Sequence, residues 1–330
     1  MSRRENIIIK FLLFLLLLSG AFLRLITGEV DIDFMQFNTI FTNGTTENLI
    51  VIHHRLPALL NAVFVGAGLS LAGYLMQVVF KNALAGPYIL GVASGAGLFV
   101  AVFLLTGISC ILATVGVSFM AIVGAMAVAL LLLLLLTKIR QTTTILIVGV
   151  LISSVATAVI SLLQYFSSDE KLKKFIVWTM GNTEASSLNE SLLIATITVL
   201  VFLIIRARQK SINLLMLPDN KAFSLGLNVK HTQIISLLMA SVVTGVSVAF
   251  CGPIGFVGIV VPHLSAMLVK TRLVQFNLFM LFLTGANLVL YADLLAHLPQ
   301  GTLLPVNAIL AIFGIPVIFY IVLRKKSVIL

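Results

Sequence analysis

Long apolar stretches follow one another along the whole chain, separated only by short polar segments. About 20 consecutive apolar residues make a helix long enough to cross the hydrocarbon core of a bilayer. The 330 residues are 60% hydrophobic and only 10% charged, whereas a soluble domain is about 25% charged. The chain therefore has room for roughly ten membrane-spanning helices, and it leaves none for a soluble enzyme domain or a disordered region.

Ten stretches are predicted as spans, and we expect residues 1–330 to form a single all-α membrane domain. The spans cover residues 6–27, 56–80, 88–106, 112–136, 142–166, 192–205, 232–250, 255–269, 276–295 and 305–323. The eighth is short and rich in glycine and proline, which predicts a tilted or partly re-entrant helix. The polar residues 169–184 are predicted as a loop. The first stretch lacks a following small-residue cleavage site, so it is expected to be retained as a span.

The basic residues are distributed unevenly over the predicted loops. With the N-terminus in the cytoplasm, 16 of the 21 Lys and Arg residues lie on the inner side. The other five are Arg24, Arg55, Lys171, Lys173 and Lys174. Cytoplasmic loops collect Lys and Arg, so both termini are predicted to be cytoplasmic. The net charge of +10 then reflects topology and does not indicate a nucleic-acid partner.

A faint internal repeat links the second and seventh spans. Residues 66–73 read GAGLSLAG and residues 245–252 read GVSVAFCG. Because five spans separate their starts, the two copies would cross the membrane in opposite directions. Inverted repeats are frequent in transporters, although small residues at helical spacing also simply allow close helix packing.

Catalytic and metal-binding patterns are missing from the sequence. The five histidines form no H-E-x-x-H pattern, and no G-x-x-x-x-G-K-[ST] phosphate-binding loop occurs. Two cysteines, Cys110 and Cys251, are too few for a metal site or a disulfide framework, and the sequence leaves open whether they pair. The chain is therefore predicted to be neither an enzyme nor a cofactor-binding protein.

Ionisable residues inside membrane spans usually have a function, and here they are few. Arg24 lies near the outer end of the first span, where it is expected to reach the interface. Asp293 lies near the outer end of the ninth span, and local hydrogen bonding at a helix end explains it equally well. An ion- or proton-coupled carrier needs buried acids along its route, so this sequence favours a pore that is powered from elsewhere. The coupled carrier is kept as the alternative.

Three segments between or within spans have unusual composition. Residues 252–263, GPIGFVGIVVPH, make a poor helix, and such backbone is tolerated at membrane depth only when buried in protein or lining a cavity. Residues 77–91, QVVFKNALAGPYILG, place polar residues between two spans. Residues 216–229, MLPDNKAFSLGLNV, predict an amphipathic helix with Pro218 at its start and Gly226 at its end. The apolar residues of this last segment indicate a surface that docks a cytoplasmic partner.

These three segments, in this order, resemble the FecCD-type permeases of bacterial ABC importers over nearly the whole chain. The G-x-I-G-F-V-G-L-x-x-P-H signature is matched by Gly252, Ile254, Gly255, Phe256, Val257, Gly258, Pro262 and His263. The Q-x-x-x-x-N-P-L-A-x-P-x-x-L-G stretch is matched by Gln77, Asn82, Leu84, Ala85, Pro87, Leu90 and Gly91. The coupling segment is matched by Leu217, Ala222, Leu225 and Gly226. Smaller motifs are matched by Trp178, Gly181, Pro305, Val306, Gly314 and Pro316.

Several positions depart from the family pattern, mostly where the family carries charge or a special backbone residue. Alanine replaces an Arg, a Pro and a second Arg of the family at Ala58, Ala83 and Ala266. The Arg that ends the ninth-span motif is His297, and the residues flanking Pro305 and Val306 are Leu304 and Asn307. These departures concern ligand and partner contacts more than the fold.

The resemblance implies an inverted-repeat permease that pairs with a second copy or a related permease, with a pathway lined by the second, fifth and neighbouring spans. Two cytoplasmic ATP-binding subunits would dock on residues 213–230, and the contacts would include Leu217, Asp219, Ala222, Leu225 and Gly226. A cytoplasmic gate is implied at Gln141, Thr142, Thr143 and Thr144. An extracytoplasmic binding protein would dock at Arg55 and His297.

By the same resemblance the membrane is the bacterial cytoplasmic membrane, and the ligand is an iron–siderophore, haem or cobalamin. The sequence does not choose among these chelates, nor between a homodimer and a heterodimer.

Overall fold

The computed structural model describes residues 3–27, 46–107, 116–139, 141–184, 186–271, 273–298 and 304–323. The described residues are almost entirely helical. The helices are α1 (Arg3–Ile26), α2 (Thr46–Ile50), a π-helix (Val51–Arg55), α3 (Leu56–Phe80), α4 (Val92–Leu105), α5 (Val117–Lys138), α6 (Thr142–Tyr165), α7 (Asp169–Thr179), α8 (Leu188–Ala207), α9 (Gln209–Leu215), α10 (Asp219–Ser224), α11 (Val229–Cys251), α12 (Val257–Val269), α13 (Val274–Ala296) and α14 (Val306–Leu323). Cys110 lies outside the described residues, so its pairing stays open, while Cys251 is buried as a free thiol.

The number of apolar helices agrees with the prediction of about ten spans. Seven described helices are long and apolar enough to cross a membrane, and three shorter apolar helices accompany them, namely α4, α12 and the first part of α14. Helix α12 has 13 residues and is about 20 Å long at 1.5 Å per residue, which is shorter than a bilayer core of about 30 Å. This length agrees with a short eighth span, and the tilted or re-entrant placement of the helix stays a prediction.

Helix α3 forms the centre of the bundle, and glycines set how closely its neighbours approach. It packs against α8, α11, α12 and α13. In its most apolar stretch, 89% of the residues are buried. A Cβ atom at Gly66 would overlap the backbone of Gly285 in α13, and one at Gly73 would overlap the backbone of Gly258 in α12. Because lipid provides no hydrophobic drive between helices, such close backbone contact is a main source of their association.

Residues 169–184, predicted as a loop, begin with an 11-residue helix, α7. Asp169 and Glu170 lie in its first turn, where negative charge is favourable, and Glu170 accepts an (i, i+4) hydrogen bond from Lys174 at 2.8 Å. Phe175 is its buried residue and lies beside the Trp178 ring at a centroid distance of 6.2 Å. The high charge of the segment hid an amphipathic helix too short to cross a membrane.

Candidate functional site

Irregular backbone joins α11 to α12, as the composition of residues 252–263 predicts. Gly252 has φ +68°, and a Cβ atom there would overlap the carbonyl oxygen of Trp178. Asn307 of α14 holds the turn from the other side: its Nδ2 donates to the Pro253 oxygen and its Oδ1 accepts from the Gly255 amide, both at 2.8 Å. These bonds satisfy backbone groups that no helix can pair. Asn307 entered the sequence analysis only as a departure from the family pattern.

The rest of the signature lies within α12 and packs inward. Pro262 has no amide hydrogen, so the Gly258 carbonyl cannot receive its usual helical bond. The Nε2 of Gln77 lies 3.5 Å from the oxygens of both Gly258 and Ile259. His263 is buried, and its Nδ1 is 2.8 Å from the Ile259 oxygen. In this structure Gln77 and Gly258 therefore lie in the contact between α3 and α12, and His263 bonds within its own helix.

Residues 81–91 turn the chain back from α3 toward α4. Lys81 ends α3 in a left-handed conformation with φ +47°, and Asn82 accepts from the Leu84 amide at 2.9 Å through its Oδ1. Pro87 lies against Gly258. Gly91, with φ +84°, precedes α4 and lies beside Gly149 of α6. This turn thus links the signature of α12 to helix α6.

The predicted coupling segment, residues 213–230, contains the end of α9, all of α10 and the first residues of α11. As predicted, Pro218 caps the start of α10, and Gly226, with φ +82°, follows its end. Ala222 is buried, whereas the side chains of Phe223 and Leu225 are exposed. We call the three exposed apolar residues, Leu217, Phe223 and Leu225, the coupling surface, and their docking role stays a prediction.

One side chain of the residue 81–91 turn contacts the coupling segment directly. The Nζ of Lys81 donates to the Leu217 carbonyl and to Oδ1 of Asp219, both at 2.6 Å. Lys81 had no predicted role, although a lone Lys between two apolar spans is a visible signal. The bond connects the coupling segment to the end of the central helix α3.

The four predicted gate residues stand at the start of α6. Gln141 is its N-cap residue, and Thr142, Thr143 and Thr144 form the first turn. The Thr144 hydroxyl lies 3.4 Å from Oε1 of Gln141. Their gating role stays a prediction.

Four ionisable side chains form a charge cluster at the C-terminal ends of α1 and α13. They are Arg24 of α1, Asp293 and His297 at the end of α13, and Glu184 from the segment after α7. Arg24 donates from Nε to Asp293 and from Nη2 to Glu184, both at 2.5 Å. Arg24 and Asp293 are fully buried, so the expectation that Arg24 reaches the interface is wrong. It pairs instead with carboxylates from two other segments, which offsets the cost of burying the charge.

His297 completes this charge cluster. Its Nδ1 is 2.7 Å from the Asp293 carbonyl and its Nε2 is 3.0 Å from Oε1 of Glu184. These two partners accept hydrogen bonds, which favours an imidazolium with two N–H groups, whereas Nη2 of Arg24, a donor 3.3 Å from Nε2, opposes it. The hydrogen bond from His297 and the bond and charge of Arg24 together lower the pKa of Glu184 to about 2, against the opposing effect of burial. Burial and the Arg24 charge lower the pKa of His297, but the hydrogen bonds to Glu184 and to the Asp293 carbonyl, together with the Asp293 charge, outweigh them, and the pKa is raised.

The segment that follows α7 connects this charge cluster to the bundle core. Thr183 donates to Oδ1 of Asp293 at 2.5 Å. Asn61 of α3 donates from Nδ2 to the Thr183 carbonyl and to the Ser186 hydroxyl. The amide of Asn182 donates to the Cys251 carbonyl at 2.9 Å. Asn182, Thr183 and Ser186 thus contact α11, α13 and α3.

The two predicted docking residues are both largely enclosed. Arg55 is 3% exposed and donates from Nη1 to the carbonyls of Leu25 and Ile26 at the end of α1. The side chain of His297 is 7% exposed. Both residues stabilise the packing of α1 in this structure, and their docking role stays a prediction.

The described residues form ten apolar helices with irregular backbone buried between them. A polar amphipathic segment lies at one end. This arrangement defines a multi-pass membrane protein of transporter type. The sequence matches the FecCD transport family over residues 12–324, and the chain belongs to that family. It is therefore an ABC-type permease, and the alternative of an ion-coupled carrier is not supported.

Relatives of known name agree with this assignment. The chain is 32% identical to the hemin transport system permease protein of Yersinia pestis, with 98% of this chain and 97% of that protein covered. It is 34% identical to the vitamin B12 import system permease protein of Serratia proteamaculans, with coverage of 86% and 85%. A solved inward-facing metal-chelate type ABC transporter superimposes with a TM-score of 0.84 at 29% identity, covering 96% of this chain and 99% of that one.

Proposed function

We propose that this chain is the membrane subunit of an importer that carries a metal chelate across the bacterial cytoplasmic membrane. A second copy would complete the pathway, two cytoplasmic ATPase subunits would drive it, and an extracytoplasmic protein would deliver the ligand. The observation that carries the proposal is the exposed apolar coupling surface, placed beside Lys81 at one end of a FecCD-family bundle. The similarity to hemin and vitamin B12 permeases supports a chelate as the ligand.

A second copy accounts for the exposed face of α6. Ser154, Thr157 and Ser161 are exposed on this apolar helix. Hydroxyl groups on a membrane helix are more stable against water or another polar surface than against lipid chains. A pathway between two α6 helices would provide both.

The coupling role is tested in the complete transporter reconstituted in liposomes. Replacing both Phe223 and Leu225 with Asp should abolish ligand-stimulated ATP hydrolysis, because an amphipathic helix binds its partner through its apolar face. Ser224→Asp is the matched control, since it adds charge at an exposed neighbour without removing an apolar contact. Normal stimulation in the double variant would exclude the coupling surface as the docking site.

Topology is tested by single cysteines in intact cells. A cysteine at Ser168 should react with a membrane-impermeant thiol reagent from outside, whereas cysteines at Lys138 and Lys221 should react only after the membrane is opened. Labelling of Lys221→Cys from outside would contradict cytoplasmic termini and the proposed coupling face.

Docking of the binding protein is tested by its affinity for the reconstituted permease. Arg55→Glu and His297→Gln should weaken the affinity if these two residues contribute docking charge. Rim charges act mainly through association rate and salt dependence, so both should be measured. Unchanged affinity and unchanged salt dependence in both variants would place docking elsewhere.

A further inference from the structure

One side of helix α8 is apolar and exposed along its whole length, and it ends in three basic residues. The exposed apolar side chains are those of Leu192, Leu193, Val199, Leu200, Leu203 and Ile204. Arg206 follows Leu203 by three positions and Arg208 follows Ile204 by four, so both arginines continue the same side of the helix. Lys210 comes next, at the start of α9, and all three cations are exposed. We call Arg206, Arg208 and Lys210 the basic patch.

The length of α8 places the basic patch at the edge of the membrane. Leu188–Ala207 has 20 residues and is about 30 Å long at 1.5 Å per residue, which equals the thickness of a hydrocarbon core of about 30 Å. The apolar side of α8 therefore extends across the core, and the basic patch begins at the depth of the lipid headgroups. The opposite end of the helix carries an acidic residue, Glu190, in its first turn.

The basic patch lacks a neutralising partner in the described part of the chain. Residues 191–218 contain no Asp or Glu. Within the described residues, none of the three side chains forms an ion pair or a side-chain hydrogen bond. Cations held close together repel one another, so an anion bound between them would be stabilised.

The backbone that carries the basic patch is fixed to the bundle. The Arg208 carbonyl accepts from the amide of Ile212 at 3.1 Å, and the Ile212 side chain is buried. Asn213 accepts from the amide of Val274 in α13 at 2.9 Å through its Oδ1. The three cations are therefore brought together by packed structure, and only their side chains have to be ordered by a ligand.

From these observations we infer that the basic patch binds the phosphate of an anionic phospholipid, whose acyl chains lie along the exposed side of α8. Arginine suits this ligand, because its planar guanidinium can donate two parallel hydrogen bonds to a phosphate group. Basic residues at the membrane edge of helices are known to attract anionic headgroups. A free phosphate ion or an acidic peptide would use the charges alone, whereas a phospholipid uses both the charges and the adjoining apolar surface. The inference goes beyond the importer function and does not depend on the imported ligand.

Lipid contact is tested at Leu203, one turn before Arg206, in the complete transporter reconstituted in liposomes. In a variant with Cys110→Ser and Cys251→Ala, a fluorophore on Leu203→Cys should be quenched by brominated phosphatidylglycerol and by brominated phosphatidylcholine. The relative association constant should be at least about fivefold higher for phosphatidylglycerol, the factor that one basic residue near an anionic lipid surface contributes. Salt at about 1 M should remove most of this preference, because the Debye length is then about 3 Å.

The matched control is a fluorophore on Leu192→Cys, which is also exposed on α8 but lies at its other end, beside Glu190. Both lipids should quench it equally. Equal quenching by both lipids at Leu203→Cys would overturn the inference. Absence of quenching by either lipid at Leu203→Cys would show that protein covers this side of α8 and would overturn the inference as well.

The three cations are tested together by removing their charge. The triple variant Arg206→Gln, Arg208→Gln and Lys210→Gln should lower the association constant of phosphatidylglycerol at Leu203→Cys to that of phosphatidylcholine. The control triple variant Lys171→Gln, Lys173→Gln and Lys174→Gln removes the same charge from α7 and should leave the preference unchanged. A preference that survived the loss of the basic patch would show that other groups attract the lipid.

The source of the phosphate is tested by competition. Excess inorganic phosphate at constant ionic strength should leave the quenching by brominated phosphatidylglycerol unchanged, because a free ion gains nothing from the apolar side of α8. Displacement of the lipid by inorganic phosphate would identify a site for small anions and contradict the inference. Quenching requires no uptake, so failure of the chelate function and failure of the lipid site are separate outcomes.

Discussion

Arg24 of α1 and Asp293 of α13 form a buried ion pair between residues 269 positions apart in the sequence. The Nε–Oδ2 distance is 2.5 Å, and both side chains are at most 1% exposed. Glu184 and His297 extend the pair into a cluster with two acidic and two basic groups. Because α1 otherwise exposes most of its apolar residues, this cluster is a main determinant of where the first helix lies.

We predict that breaking this pair destabilises the protein strongly. Arg24→Gln should lower the free energy of unfolding by about 3–5 kcal/mol, because it leaves the fully buried Asp293 without its arginine partner. Asp293→Asn should have a smaller effect, because Arg24 keeps its ion pair with Glu184. The double variant Arg24→Met with Asp293→Leu should recover much of that loss, since it removes both charges. Thermal unfolding in detergent measures the effect, with Lys173→Gln as a control for loss of an exposed cation. Single variants as stable as the control would show that the pair contributes little.

A second prediction concerns the pH dependence of stability. The pKa of Glu184 is lowered to about 2 by His297 and Arg24, so its contribution is present above its ordinary pKa and is lost as the pH falls through 2. The pKa of His297 is raised, so its contribution is complete below about pH 6.5 and is lost as the pH rises through the raised value. Stability from this charge cluster should therefore be greatest between the ordinary pKa of Glu184 and about pH 6.5.

His297→Gln isolates the alkaline part of that profile. The variant should lose about 1.5–3 kcal/mol near pH 6, the usual contribution of a hydrogen bond to a charged group, and much less near pH 9. The comparison uses unfolding in detergent at several pH values, with exposed His231→Gln as the matched control. A destabilisation by His297→Gln that is equal at pH 6 and pH 9 would contradict an imidazolium at this position.

A third prediction concerns the contact between α3 and α12. Gly73→Ala should destabilise the protein by at least about 1–3 kcal/mol, because the added methyl group overlaps the Gly258 backbone and overpacking has a cost of this order. Gly97→Ala in α4 is the matched control, since a Cβ atom at Gly97 would lie 3.8 Å from its nearest neighbour, the Ile160 side chain. The yield of monodisperse protein and the unfolding temperature report the difference. Equal behaviour of the two variants would mean that α12 shifts away from α3 at no cost.

The fold was largely predictable because hydropathy and charge act locally. Apolar runs of about 20 residues define spans, and each predicted span has a helix at its place in the structure. Helix α7 was missed because charged residues at Glu170 and Lys171 dominate its composition. Its apolar residues Leu172, Phe175 and Trp178 recur every three positions, and that helical spacing is the signal that identifies it.

The site was less predictable because its contacts join distant segments. Nothing in the sequence near Arg24 indicates Glu184 or Asp293, so the charge cluster became visible only in three dimensions. Asn307 likewise differs from the family pattern, yet it bonds to two backbone groups, of Pro253 and Gly255, in the turn between α11 and α12. By contrast Pro218 and Gly226 were placed correctly at the ends of α10, because proline and glycine affect their own backbone.

The last prediction concerns Lys81 and Asp219, the ion pair that joins the end of α3 to the coupling segment. Both side chains are partly exposed, and such pairs contribute at most about 1 kcal/mol to stability. Lys81→Glu should therefore leave the unfolding temperature nearly unchanged and still reduce ligand-stimulated ATP hydrolysis severalfold, because it removes the bonds that hold Leu217 and Asp219 in place. Adding Asp219→Lys should restore stimulation by re-forming the pair with reversed charge.

The matched control is the exposed Glu170–Lys174 pair of α7, where Lys174→Glu should change neither property. If Lys81→Glu alone kept full stimulation, the pair would be a surface contact without a role in coupling. If the reversed pair failed to recover stimulation while Lys81→Glu lost it, the bond from Lys81 to the Leu217 carbonyl would be the essential one. That carbonyl accepts a bond from Lys81, and a carboxylate at position 81 has no hydrogen to donate.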